Sequence, residues 1–206
     1  MTREIRIYIE GGGDGRETKA RLRQGFSAFL SQLRERARDR SIRWEVVACG
    51  SRESTFRNYK TALDSHPDAF NVLLVDAEAP VISDRPWEHL HRRDNWDNPG
   101  VEDKHCHLMV QCMEAWLIAD REAIRGYYGQ HFQENALPNN PDVEAVDKDR
   151  LIDALQNATR NTTKGKYHKT RHGPEILERI RSEEVRSKSQ YCERLFHTLL
   201  VEIGPG

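Results

Sequence analysis

The segment Phe70-Asn71-Val72-Leu73-Leu74-Val75 is apolar at every position but one and stops at Asp76. It is too short for an ordinary buried helix and too continuously apolar for a strand with one wet face. It reads as a strand buried on both sides, and such strands belong to parallel sheets covered by helices. This run commits the chain to a layered α/β architecture with a central, mainly parallel sheet. Helix-period segments between the strands supply the layers.

The rest of the pattern is consistent with that frame. Ile5, Ile7 and Ile9 alternate with Arg6 and Tyr8, then meet Glu10-Gly11-Gly12-Gly13, so a first strand is predicted to run into a glycine turn. Leu22, Phe26, Phe29, Leu30, Leu33 and Ala37 predict an amphipathic helix over residues 17–38. Ile42, Trp44 and Val46 predict a second strand, residues 54–63 a short helix, and residues 107–110 a last strand. Residues 79–104, punctuated by Pro80, Pro86 and Pro99, and residues 129–147 are expected to be long loops. In the first of these, Trp87 and Trp96 are expected to fill core under the loop, because Trp is usually largely buried. Helices are expected over 113–127, 149–158, 174–181 and 190–201, with Pro174 in a first turn and a basic loop over 159–172. The whole of 1–206 is read as one domain, with residues 148–206 as a helical C-terminal portion.

Composition narrows the function classes. No apolar run approaches the ~20 residues of a membrane helix. The N-terminal MTREIRIYIEGGG has charges where a signal peptide needs its apolar stretch, so a cytoplasmic protein is expected. Cys49, Cys106, Cys112 and Cys192 show no CxxC spacing and read as reduced thiols. The formal charge of −1 hides a strong segregation. Residues 16–43 carry +6, residues 154–174 carry +5, and the remainder carries −12. Either solvated surface or an acidic centre with basic banks gives such a split.

Several common chemistries are absent. No P-loop, HExxH or GxSxG is present, and Gly11-x-Gly13-x-x-Arg16 breaks the dinucleotide fingerprint at its third glycine. His89-x-His91 and His105-Cys106-His107 lack the second ligand pair of a structural zinc site. The placement of acids is more informative. Glu10 and Asp14 flank the glycine turn, Asp76 and Glu78 follow the central strand, and Glu114 lies where a strand gives way to a helix. In a parallel α/β sheet the strand C-termini share one edge, where ligands bind. Converging carboxylates repel, and a hard divalent cation relieves that repulsion. Helix N-capping accounts for such acids singly, for Asp14 and Glu114 above all.

Ile9-Glu10-Gly11-Gly12-Gly13-Asp14 followed by Val75-Asp76-Ala77-Glu78 resembles the Toprim pattern of topoisomerases, primases and OLD-type nucleases. Cys112-Met113-Glu114-Ala115-Trp116-Leu117 and Tyr167-His168-Lys169-Thr170 resemble the family catalogued as domain of unknown function 4276, whose members are often encoded beside ATPases in bacterial defence loci. The resemblance implies a Toprim-like Rossmannoid fold and a nuclease acting on DNA or RNA. It implies Mg²⁺ or Mn²⁺, as one ion or two, held by Glu10, Asp14, Asp76, Glu78 and Glu114. Glu10 and Lys169 would be catalytic, with Lys169 neutralising phosphate charge. Glu78 departs from the pattern, which has a second Asp there. Lys164, Lys166, Tyr167, Lys169 and Arg171 form a compact basic segment with one aromatic, suited to phosphate contact and base stacking. The length leaves no room for an ATPase module, so an AAA- or ABC-type ATPase partner would be a separate chain. A non-catalytic adaptor docking on such an ATPase, and a small-molecule phosphoryl-transfer enzyme, are the alternatives.

Overall fold

A computed structural model describes residues 2–205. Four parallel strands form one sheet in the order β2-β1-β3-β4, from β1 (Glu4–Glu10), β2 (Arg43–Gly50), β3 (Phe70–Asp76) and β4 (Cys106–Met109). The α/β expectation therefore holds, and all four strands end on one edge. The run at 70–76 is β3, buried at every position. Val72, Leu73, Leu74 and Val75 are 0 % exposed, and full burial of such side chains is worth roughly 1.5–3 kcal/mol apiece.

Strand alternation divides the core between the two faces of the sheet. Ile5, Ile7, Ile9, Val72 and Leu74 join one cluster with Phe26, Leu33, Trp116 and Leu195. Tyr8, Leu73 and Val75 join the other with Phe56, Tyr59, Trp87 and Trp96. Both tryptophans of the 79–104 segment are thus core, Trp96 stacked on Phe56 at 4.3 Å.

The helices depart from the sequence expectations at identifiable points. The 17–38 helix is two helices, α1 (Arg16–Phe29) and α2 (Ser31–Asp39), broken at Leu30. Ser51 caps α3 (Arg52–Ser65), its hydroxyl accepting from the Ser54 N–H at 3.3 Å. The 79–104 segment contains α4 (Pro86–Asp94), which Pro86 starts at its first turn. The 113–127 helix divides into α5 (Met113–Ala119) and α6 (Arg121–Tyr128). Asp120 makes that break: its carboxylate accepts from the Ala123 N–H at 3.2 Å and from Arg181 at 2.9 Å, a cap the apolar pattern does not reveal.

After α7 (Lys148–Thr159), the basic loop ends earlier than expected. Lys169 opens α8 (Lys169–Leu177), and Pro174 lies inside that helix rather than in its first turn. Helix α8 packs closely on α1, where a Cβ on Gly25 would stand 2.7 Å from the Pro174 carbonyl oxygen. The chain closes with α9 (Ser182–Arg186) and α10 (Gln190–Ile203). Among the described residues no helix is long and apolar enough to cross a membrane. All four cysteines are free and buried, and burial pushes the Cys106, Cys112 and Cys192 thiols up, away from thiolate chemistry.

A candidate metal centre at the strand ends

The order β2-β1-β3-β4 reverses direction between β1 and β3, and crevices at such switch points are where α/β sheets bind ligands. The last residues of these two strands are Glu10 and Asp76. Glu10, Asp76 and Glu78 each offer an oxygen, all within 4.8 Å of one another. Glu78 joins the group from beyond the strand, since β3 ends at Asp76 and Glu78 adopts φ +66°. Its N–H donates to the Gln111 carbonyl at 2.6 Å, which holds it at the same edge. A left-handed non-glycine residue costs conformational energy that the surrounding structure must hold in place.

Asp76 is almost fully buried. Its Oδ1 accepts from the Met113 N–H at 2.7 Å and its Oδ2 from the Lys169 ammonium at 2.7 Å. Glu10 Oε2 accepts from the Asp76 N–H at 3.2 Å and from Arg52 at 2.8 Å. Glu78 pairs with Lys148 and faces Arg93 at 3.6 Å. Burial, together with the charges of Asp76 and Glu78, pushes the Glu10 carboxyl up to about 7, while Arg52 and Lys169 oppose that shift.

The raised Glu10 value has a testable sign. The folded form binds a proton in a range where an unfolded glutamate, near 4.5, has lost it. This group therefore favours folding at low pH and loses that contribution as pH rises through about 7. In EDTA, Glu10→Gln is expected to flatten the fall in stability between pH 5 and 7, measured by urea denaturation. Equal slopes in both proteins would refute the assignment.

The structure does not bring Asp14 or Glu114 into the group of three. Asp14 is exposed beyond the glycine turn, where Gly11, Gly12 and Gly13 take φ of +118°, +84° and +59° and carry the chain away from the strand end. Glu114 is 0 % exposed and accepts from the Tyr167 hydroxyl at 2.9 Å, with Lys169 3.3 Å from its other oxygen.

Lys169 thus bridges Asp76 and Glu114. These two carboxylates hold its ammonium well above the usual lysine range, against the opposing effect of burial. Its side chain stays 39 % exposed, while the two acids it binds are 3 % and 0 % exposed. Tyr167 is buried at 4 % exposure with its hydroxyl committed to Glu114, so the expected role of stacking a nucleobase is corrected. Lys164, Lys166 and Arg171 are exposed, and the Lys164 ammonium lies 4.6 Å over the Tyr127 ring.

Residues that sequence reasoning missed complete the site. Arg52, the second residue after β2, donates to both oxygens of Asp94 at 2.9 and 2.7 Å, to Glu10, and to the Asp76 carbonyl at 2.6 Å. The strand-end logic that picked out acids applies equally to a cation following β2, and would have found it. Lys148 and Arg93 carry no such signal, because each lies on a helix whose position depends on tertiary packing. Among the described residues His89, His91, His105 and His107 join no group of three candidate metal ligands. His107 is fully buried against the Lys104 carbonyl at 3.0 Å, and His89 faces the Ala77 carbonyl at 2.8 Å.

The donor set suits a hard cation. Three carboxylate oxygens, from a buried Asp76 and the partly buried Glu10 and Glu78, match the few-carboxylate coordination of Mg²⁺ or Mn²⁺. The cleft beside them, about 150 Å³, is lined by Glu10, the glycine turn, Asp76, Met113 and Lys169.

In comparison with known proteins, the sequence model of a family described as Domain of unknown function (DUF4276) matches residues 9–200. No curated protein matches the chain at a significant level. Among solved structures the chain is similar to the C-terminal region of the Xanthomonas campestris pv. campestris OLD protein. That likeness has 16 % identity and a TM-score of 0.47 over 98 % of each chain.

Proposed function

Since the chain belongs to the DUF4276 family, and a family so described leaves its chemistry to be read from the site, we propose a divalent-metal-dependent phosphodiesterase acting on nucleic acid. The observation that carries this reading is the convergence of Glu10, Asp76 and Glu78 at the β1/β3 switch point, with the Lys169 ammonium bound to Asp76 beside them. The Toprim-like motifs that hold Glu10 and Asp76 support it.

Glu10, Asp76 and Glu78 would hold the ion. When bound, it would polarise phosphoryl oxygens and offset the charge that develops on them. Lys169 stays a cation and lines the same cleft, where it would stabilise phosphate charge. Burial and the neighbouring acids raise the Glu10 carboxyl to about 7 in the metal-free protein; a bound cation would favour its ionised form, so acid–base work by Glu10 is the alternative to ligation. Arg52, clamped by Asp94, orients Glu10. Asp14 would act only through a change in the turn, and Glu114 acts on Lys169. Lys164, Lys166 and Arg171 supply an exposed basic surface.

The cleft volume favours a polymer that lies across the site over an enclosed small substrate, since small-molecule pockets usually measure about 300–1,000 Å³. In the cell we place this activity in the cytoplasm, beside an ATPase supplied by another chain, in antiphage defence.

One observation favours the adaptor reading. Each carboxylate of the group already pairs with a cation of the chain: Arg52, Lys169 or Lys148. The two readings separate in one experiment. Labelled DNA and RNA are incubated with the protein in Mg²⁺, Mn²⁺ or EDTA, with and without the neighbouring ATPase. Cleavage confined to the metal-containing reactions is expected. No cleavage in any of them, together with no Mn²⁺ bound by electron paramagnetic resonance, would overturn the enzyme.

A further inference from the structure

A second basic surface lies away from the 164–171 segment. Two adjoining open clefts, about 580 and 420 Å³, run along β2 and share Arg34 and Trp44. Strand β2 is an edge of the sheet, with β1 on one side only. Arg23 lines the first cleft, while Arg38 and Arg43 line the second.

These cations are free to act on a ligand. Among the described residues, Arg23 and Arg34 are exposed and make no ion pair. Arg38 has only its exposed neighbour Asp39, at 3.8 Å, and Arg43 only Glu4, at 3.9 Å. Other arginines of the same helices have structural work: Arg21 pairs with Glu17 at 2.7 Å, and Arg36 donates to the Gly204 carbonyl at 3.5 Å. Of the acids at the trough, Glu45 is held by Arg6 at 2.7 Å, and Glu35 is exposed.

Trp44 differs from the other tryptophans. Trp87, Trp96 and Trp116 are 4 %, 5 % and 0 % exposed, whereas Trp44 is only partly buried, packed against the core yet lining both clefts. At its other end the basic helix face reaches the candidate metal centre. A Cβ on Gly50 would lie 3.0 Å from the Lys19 ammonium and 2.8 Å from the Gly13 carbonyl oxygen, so Lys19 sits against the glycine turn.

We propose that the trough between α1, α2 and β2 binds an unpaired nucleic-acid strand. Its phosphates lie on Arg23, Arg34 and Arg38, a base stacks on Trp44, and Lys19 passes the strand to the cleft. This names the substrate class of the function proposed above and rests on that reading. An aromatic ring flanked by cations is the usual composition of a single-strand platform. A trough of cations without an aromatic would fit a duplex backbone equally well, and Trp44 decides between them.

The test uses Trp44 as its own reporter. Oligodeoxythymidylate of about 12 nucleotides is titrated into the protein in EDTA, following tryptophan fluorescence. Quenching is expected, and Trp44→Phe should abolish it. Arg23→Gln/Arg34→Gln/Arg38→Gln should weaken binding roughly a hundredfold at about 0.1 M salt and lower the salt slope by about 2, the value for three lost contacts to a single strand. Unchanged affinity in the triple variant would overturn the proposal, as would stronger binding of duplex than of single strand. Mn²⁺ binding by the triple variant separates the two readings. A variant that keeps its metal and its affinity refutes the trough alone, whereas a wild type that binds no metal refutes the phosphodiesterase.

Discussion

Asp76→Asn is expected to lower metal-dependent cleavage by about a thousandfold or more, the equivalent of about 4 kcal/mol of transition-state stabilisation. Asp76 is the one acid that faces both neighbouring carboxylates and the Lys169 ammonium. The amide keeps the size and can still accept from the Met113 N–H, which donates to Oδ1 at 2.7 Å, so the fold should persist. It removes the charge at the centre of the group and leaves a weaker ligand for a hard cation. The measurement is single-turnover cleavage in Mn²⁺, with circular dichroism to show the variant folded. Wild-type rates in a folded Asp76→Asn protein would remove Asp76 from the site.

Arg52→Met should have the largest effect on stability. Arg52 is 14 % exposed, and it neutralises Asp94 and Glu10, at 9 % and 16 % exposure. Methionine preserves much of the packing volume but leaves Glu10 without its arginine and Asp94 with Arg93 alone. Removing one member of a buried ionic network typically costs about 3–5 kcal/mol. For a chain of this length the lower figure corresponds to a fall in melting temperature of about 6–12 °C. Arg52→Lys should recover only part of the loss, because one ammonium cannot reproduce the fork that reaches Asp94 and Glu10 together. A melting temperature within 2 °C of wild type for Arg52→Met would refute this account.

The elements legible in the sequence were those whose signal is local. The apolar run at 70–75 is β3 over Phe70–Asp76, and the Ile5-Ile7-Ile9 alternation is β1 over Glu4–Glu10. Strand-end logic points to Glu10, Asp14, Asp76, Glu78 and Glu114, of which Glu10, Asp76 and Glu78 come together. What escaped the reading depends on tertiary neighbours. Asp120 divides a continuous apolar pattern because Arg181, distant in sequence, meets its carboxylate. Helix α4 hides in a proline-punctuated segment because its buried Trp87 and Leu90 are sparse in sequence. Tyr167 reads as exposed beside four cations, yet it is drawn inside by the hydroxyl's contact with Glu114. Asp14 follows the expected spacing but lies past three left-handed glycines, so sequence proximity to Glu10 does not become spatial proximity.

The bridge that Lys169 makes between Asp76 and Glu114 has a consequence for biosynthesis. The two acids leave the ribosome long before the lysine that neutralises them. Until α8 is synthesised, Asp76 and Glu114 lack the cation they share. The core on that side stays electrostatically unfinished until Lys169 emerges and α8 docks on α1. Synthesis order thus makes completion of the candidate centre a late event, tied to the C-terminal helices rather than to the sheet that carries most of its acids.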